Sequence, residues 1–171
     1  MKFNTKKLII SAMFAAMVCV ATMVIKFQIT LGGYVNLGDC MVLLAGWMLS
    51  PGMAFLAAGI GSAAADAILG YGIYIPATFV IKGLMAAMAG WLFGRLKKVT
   101  KPVAARVASA LCAEVWMALG YYLFDGILYG FIPALATFYG NALQGVTGLI
   151  LGVIFVNIFV KNKVMDYIKK D

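Results

Sequence analysis

The chain has no histidine, few charges and little acid: of its 171 residues 12% are charged, and Asp and Glu number 6 against 14 Lys and Arg. Without histidine, imidazole is excluded as metal ligand, general base or proton relay. The three cysteines, Cys19, Cys40 and Cys112, lie far apart with no CxxC pair, so neither a disulfide framework nor a thiolate metal site is expected. No GxxxxGK[ST] phosphate loop is present, and energy from ATP would have to come from a partner. What the chain does have is apolar. Hydrophobic residues make up 64% of it and the mean hydropathy is +1.00, arranged in long uncharged stretches rather than amphipathic faces. A soluble domain is roughly half apolar, so this composition calls for lipid.

Crossing a hydrocarbon core of about 30 Å takes about 20 mostly apolar helical residues. On that criterion residues 1–171 read as a single integral membrane domain with spans near 8–27, 37–49, 51–70, 76–94, 104–125 and 133–160. The runs are too long for barrel strands and lack apolar/polar alternation, so the fold class is all-α, a bundle of six transmembrane helices. The second span is short: starting it at Leu37 gives only about 20 Å of helix. It must tilt little, extend into the Gly32 to Gly38 loop, or stop partway through the bilayer. At Ser50-Pro51-Gly52 the chain turns, with Ser50 suited to an N-cap and Pro51 to the first turn of the third span.

Basic residues cluster at Lys2, Lys6 and Lys7 and in segments 95–106 and 161–170. In a chain of six spans these fall on one side, expected to be cytoplasmic, with both termini inside. The opposite connections, 26–39, 70–76 and 125–133, carry Lys26 as their one basic residue. The formal charge of +8 is therefore a topology signal, and no nucleic-acid partner is expected. The first apolar run is long and lacks a small-residue cleavage site, so no cleavable signal peptide is expected.

Small residues recur at four-residue spacing at Ala12/Ala16, Ala54/Ala58, Gly61/Ala65, Ala86/Gly90/Gly94 and Gly148/Gly152. In lipid such stripes let helix backbones approach closely, and most are read as internal packing. Ala12 and Ala16, beside the basic N-terminal end, are read instead as a surface for a partner membrane protein.

Charges inside spans are costly, which makes each a functional candidate. Asp66 and Lys82 fall at similar depth near the outer ends of the third and fourth spans. Either they form an ion pair that fixes helix register, or Lys82 contacts a ligand. Glu114, Ala118, Tyr121 and Asp125 follow one face of the fifth span, and Thr137, Asn141 and Gln144, continuing to Gly148, one face of the sixth. With Thr78 and Lys82 these stripes predict a polar pocket in the outer half, in which the Asn141 and Gln144 amides, a cation and the Glu114 anion suit a small polar heterocycle. The competing reading of Asn141 and Gln144 is interhelical hydrogen bonding. Tyr34, Tyr71, Tyr74, Trp116, Tyr122 and Tyr139 read either as pocket walls or as interfacial aromatics. Tyr34 lies in Leu31-Gly32-Gly33-Tyr34-Val35-Asn36, a loop expected to act as a mobile lid. No metal, cofactor or catalytic group is expected, since the spacing of Asp66, Glu114 and Asp125 matches no catalytic arrangement.

A composite pattern runs from Gly33 to Gly90: Gly33-Tyr34-Val35-Asn36-Leu37-Gly38-Asp39, Leu44-Ala45-Gly46 with Pro51-Gly52, Gly59-Ile60-Gly61-Ser62 with Asp66, Gly70-Tyr71, and Tyr74-Ile75-Pro76-Ala77-Thr78-Phe79 with Ile81-Lys82-Gly83. It resembles the substrate-binding S components of energy-coupling factor (ECF) transporters, in the group for riboflavin and for hydroxymethylpyrimidine or pyridoxine-type vitamins. Tyr139-Gly140-Asn141 and Gln144 add a looser match, and Ser50 departs from the Gly usual before Pro. The resemblance implies a non-enzymatic, multi-pass subunit of a prokaryotic plasma membrane that captures a vitamin from outside. Reorientation of the whole subunit in the membrane is the transport step that it implies. Its implied partners are a transmembrane coupling protein, packed on Ala12 and Ala16, and two cytoplasmic ATPases. Taking the polar faces and the resemblance together, the expected substrate-binding residues are Tyr34, Asn36, Asp39, Tyr74, Thr78, Lys82, Glu114, Tyr121, Asn141 and Gln144. A small pyridine or pyrimidine fits a compact pocket, whereas riboflavin demands a larger aromatic one. The alternative from another class is a stand-alone secondary transporter coupled to protons through Glu114 and Lys82.

Overall fold

The computed structural model describes residues 5–24, 26–28 and 34–163. Helix α1 (Thr5–Val24) is followed by a two-stranded antiparallel hairpin, β1 (Lys26–Gln28) and β2 (Tyr34–Asn36), in the register Lys26 to Asn36 and Gln28 to Tyr34. Helices α2 (Gly38–Met48), α3 (Pro51–Leu69), α4 (Ile75–Leu96), α5 (Pro102–Tyr129) and α6 (Phe131–Lys161) complete the bundle. Among the described residues, five of these six α-helices are long and apolar enough to cross a membrane; α2, with 11 residues, is not.

Local chemistry sets the boundaries. Leu49 and Ser50 are extended, and Pro51 opens α3 in the first turn, where its missing N–H goes unmissed. Pro76 and Pro102 do the same for α4 and α5. The expected first span, 8–27, is corrected at its end: α1 stops at Val24 and Lys26 already belongs to β1. The expected loop 125–133 is also corrected, because α5 continues past Asp125 to Tyr129 and only Gly130 separates it from α6. Gly130 has φ 93°, a left-handed value that a side chain would strain. Pro133 falls within the opening turn of α6 rather than before it.

The long helices form an arc in which α3 packs on α1 and α4, and α5 packs on α4 and α6. Helix α2 fills its hollow side, in contact with α1, α3, α4 and α6. Val42, Leu43, Leu44 and Ala45 are accordingly fully buried, a pattern that a lipid-facing helix does not show. Close backbone approach makes this possible. A Cβ on Gly90 would collide with the carbonyl oxygen of Gly46, and one on Gly46 would reach that of Ala86, so α2 and α4 meet at glycine. Ala54, Ala58, Ala65 and Ala86 are likewise fully buried, whereas Ala12 and Ala16 lie exposed on the far side of α1.

An 11-residue helix spans about 16 Å, about half the hydrocarbon thickness. The arc is thus filled at its middle and left open at both ends of α2. One end, at Asn36 and Asp39, holds a polar cavity; the other, at Met48 and Leu49, holds a hollow flanked by basic side chains.

Candidate functional site

The polar cavity sits above the N-terminus of α2. Its lining is Thr22, Asn36, Ser62, Asp66, Tyr71, Tyr74, Thr78, Lys82, Tyr121, Asp125, Thr137, Asn141 and Gln144, contributed by every long helix and the hairpin. The space open to the centre of a water molecule is about 50 Å³; all non-atom space, including the mouth, comes to about 520 Å³.

A chain of polar contacts forms its floor. The Lys82 ammonium donates to Asp39 Oδ1 in a buried ion pair. The Gln144 amide donates to Asp39 Oδ2 at 2.6 Å and accepts from the Asn36 backbone N–H at 2.8 Å and from its side-chain amide at 3.3 Å. Asn36 Oδ1 in turn accepts from the Gly38 amide at 2.8 Å, supplying the first turn of α2 with an acceptor. One network therefore ties β2, α2, α4 and α6 together, and every member is buried. Each of these groups would be costly in an apolar bundle if left alone. Satisfying them mutually fixes the hairpin over the cavity.

The wall continues upward through α4 and α5. Tyr121 donates to Thr78 Oγ1 at 3.0 Å, and its ring lies 5.5 Å from the Lys82 ammonium. Higher still, Asp125 accepts from Tyr74, the residue before α4, at 2.9 Å and from Thr137 at 2.7 Å, joining the entry to α4 with α5 and α6. Asn141 differs from its neighbours: among the described residues its amide makes no hydrogen bond with protein, and it faces the cavity.

The structure distributes the expected residues unevenly. Asn36, Tyr74, Thr78, Lys82, Tyr121, Asn141 and Gln144 come together on the lining. Asp39 lies beneath it, fully buried as the common acceptor of Lys82 and Gln144. Glu114 is not on the lining. It is buried one level deeper between α5 and α6, against Gly145 and Gly148, and among the described residues neither carboxyl oxygen has a hydrogen-bond partner. The expected ion pair between Asp66 and Lys82 is corrected, since Lys82 pairs with Asp39 while Asp66 lines the same cavity from α3. Of the expected lid, Leu31 to Asn36, residues 31–33 and the Tyr34 side chain lie outside the described residues, and Tyr34 is described by its backbone in β2 alone.

Sequence reading missed Thr22 and Ser62 as lining residues. The signal existed: Ser62 stands one turn before Asp66, and Thr22 continues the buried face Ser11, Phe14, Val18 of α1. Tyr71, Asp125 and Thr137 belonged to the recognised polar or aromatic positions without being assigned to the ligand.

Residues 2–161 match the family model described as ECF-type riboflavin transporter, S component. A Pyrococcus woesei protein, described as an uncharacterized protein in gap 3'region, is 35% identical over 136 residues, covering 79% of this chain and 88% of that protein. A solved structure of the S component of a bacterial ECF transporter superposes with a TM-score of 0.64 at 19% identity, covering 97% of this chain and 99% of that one. The fold is shared with that protein.

Proposed function

The chain belongs to the ECF-type riboflavin transporter S component family, and from that premise we propose that its polar cavity captures riboflavin outside the cell for import driven by partner ATPases. The observation that carries the reading is the convergence of Lys82, Asn141 and Gln144, with tyrosines on the walls, on one buried cavity inside an apolar bundle. The chemistry suits a vitamin. Amides and hydroxyls read heterocycle edges and a ribityl chain, and tyrosine rings stack on a planar ring system. The basic residues at the helix ends support a reading in which the opposite end of α2, and both termini, face the cytoplasm. Capture then takes place at the outer surface, and a coupling protein with two ATPases supplies the transport step.

A second reading rests on size. About 50 Å³ of free space is far below the 300 Å³ or more of ordinary ligand sites, so a tricyclic flavin requires the cavity to widen, whereas a pyridine or pyrimidine vitamin needs less. Spectroscopy of the purified chain separates the two. Riboflavin capture gives a yellow preparation and saturable quenching of flavin fluorescence. A colourless preparation that retains pyridoxine or hydroxymethylpyrimidine by mass spectrometry refutes the flavin assignment and supports the smaller ligand.

A further inference from the structure

Charge is ordered by depth in the polar cavity. At the floor two features suit an anion, and the protein satisfies both itself. The Lys82 ammonium, the one basic group on the lining among the described residues, is held by the Asp39 carboxylate. At the N-terminus of α2 the Gly38 amide donates to Asn36 Oδ1 at 2.8 Å, and Asp39 stands in the first turn. Lys26, opposite Asn36 in the hairpin, is exposed and off the lining, and residues 29–33 carry no charge in the sequence.

The upper wall has the opposite sign. Asp125 lines the cavity well above the floor, since its partner Thr137 stands two turns, about 10 Å, along α6 from Gln144. The Asp125 carboxylate is 3% exposed and accepts from two hydroxyls, Tyr74 on Oδ1 and Thr137 on Oδ2, which orient its charge without cancelling it. Asp66 adds a second carboxyl to the lining from α3. Asn141, one turn from Thr137 and one from Gln144, is 7% exposed and makes no protein hydrogen bond among the described residues. The group left to a ligand at mid-depth is therefore a neutral amide.

We infer that this cavity selects a free vitamin over its phosphate ester, with Asp125 as the residue that sets the choice. A phosphate monoester carries about 1.5 to 2 negative charges at neutral pH. Seated high, it meets Asp125 in a buried wall, where like charges repel far more strongly than in water. Seated low, it has to displace Asp39 from Lys82 or Asn36 from the α2 amide, breaking the network that fixes the hairpin. A hydroxyl in either place costs neither, and beside Asp125 it donates to the carboxylate. This selection rests on the reading of the cavity as a vitamin site, and it is the same for a flavin and for a smaller ring.

Calorimetric titration of the full-length chain in detergent tests it, with riboflavin against riboflavin 5′-phosphate and pyridoxine against pyridoxine 5′-phosphate. In whichever pair binds, the free vitamin is expected to bind about 100-fold more tightly than its ester. Asp125→Asn keeps an acceptor for Tyr74, and its amide can donate to Thr137, whose hydroxyl also reaches the Ala134 carbonyl at 2.9 Å. In that variant the ester is expected to gain about ten-fold on the free vitamin, and Asp66→Asn is expected to move the ratio the same way. An ester bound as tightly as its vitamin by the unaltered chain overturns the selection while vitamin capture stands. So does a ratio that neither variant moves, which would mark a limit of size rather than charge. Binding of none of the four probes overturns vitamin capture itself, and the selection with it.

Discussion

Asn141 and Lys82 face the same cavity, yet their removal has different consequences. Asn141 has no protein hydrogen bond among the described residues, so Asn141→Ala deletes only groups directed at the ligand. Losing one or two such bonds is expected to weaken vitamin binding by roughly 5- to 30-fold with Tm unchanged, checked by fluorescence titration beside a thermal melt. Lys82→Ala also strands Asp39, which is fully buried, and the loss of one partner of such a pair costs about 3–5 kcal/mol. The double variant Lys82→Ala with Asp39→Ala is expected to regain most of the Tm but not the affinity. If it regains both, Lys82 acts only as a structural cation. Glu114 calls for the opposite argument. Its buried carboxyl has no hydrogen-bond partner among the described residues, and such a group costs about 1–3 kcal/mol. Glu114→Met is expected to raise Tm and leave vitamin affinity unchanged; a loss of affinity in this variant would return Glu114 to the binding site.

At the scale of elements, the meeting of α2 and α4 holds the floor of the cavity in place. Gly90→Ala drives a methyl into the Gly46 carbonyl and is expected to cost about 1–3 kcal/mol, lowering Tm and loosening vitamin binding together. Gly94→Ala, one turn along the same stripe, meets nothing within 4 Å and is expected to be neutral or slightly stabilising. A melt of the two variants side by side checks the pair. The stripe itself was legible in the sequence, as were the six helices, because four-residue spacing and long apolar runs are local patterns. The polar faces of α5 and α6 were legible for the same reason, and they brought Tyr121, Asn141 and Gln144 to the lining. Helical periodicity gives the face of a residue but not its depth relative to other helices. Glu114 shares a face with Tyr121 and Asp125, yet it lies below the cavity. Nor does it give partners across the bundle. Lys82 has candidate carboxylates on α2 and α3, and only the central position of α2 decides for Asp39. The turn at Gly130 was hidden by Pro133, which marks a helix start equally well from outside the helix or within its first turn.

For the whole molecule, the short central helix divides the surface into three regions, with the cavity at one end, the basic hollow at the other, and the outer side of α1 left exposed. Helix α1 has only 22% of its span buried, the least of the long helices, and Ala12 and Ala16 are exposed on it. A flat, small-residue face of this kind offers close backbone approach to another membrane helix. Ala12→Trp puts a large side chain on that face without touching the cavity, about 15 Å or more along the helix from Thr22. Vitamin affinity is therefore expected to stay unchanged, while co-purification with the coupling protein and ATP-dependent uptake in proteoliposomes fall to background. The same assay decides between the two transport classes. The chain alone, given a proton gradient and no ATPases, is expected to take up nothing, because Lys82 is held by Asp39 in a buried ion pair and Glu114 lies off the lining of the cavity. Uphill uptake by the isolated chain would instead identify a proton-coupled carrier, and loss of vitamin binding in Ala12→Trp would show that α1 contributes to the cavity rather than to assembly.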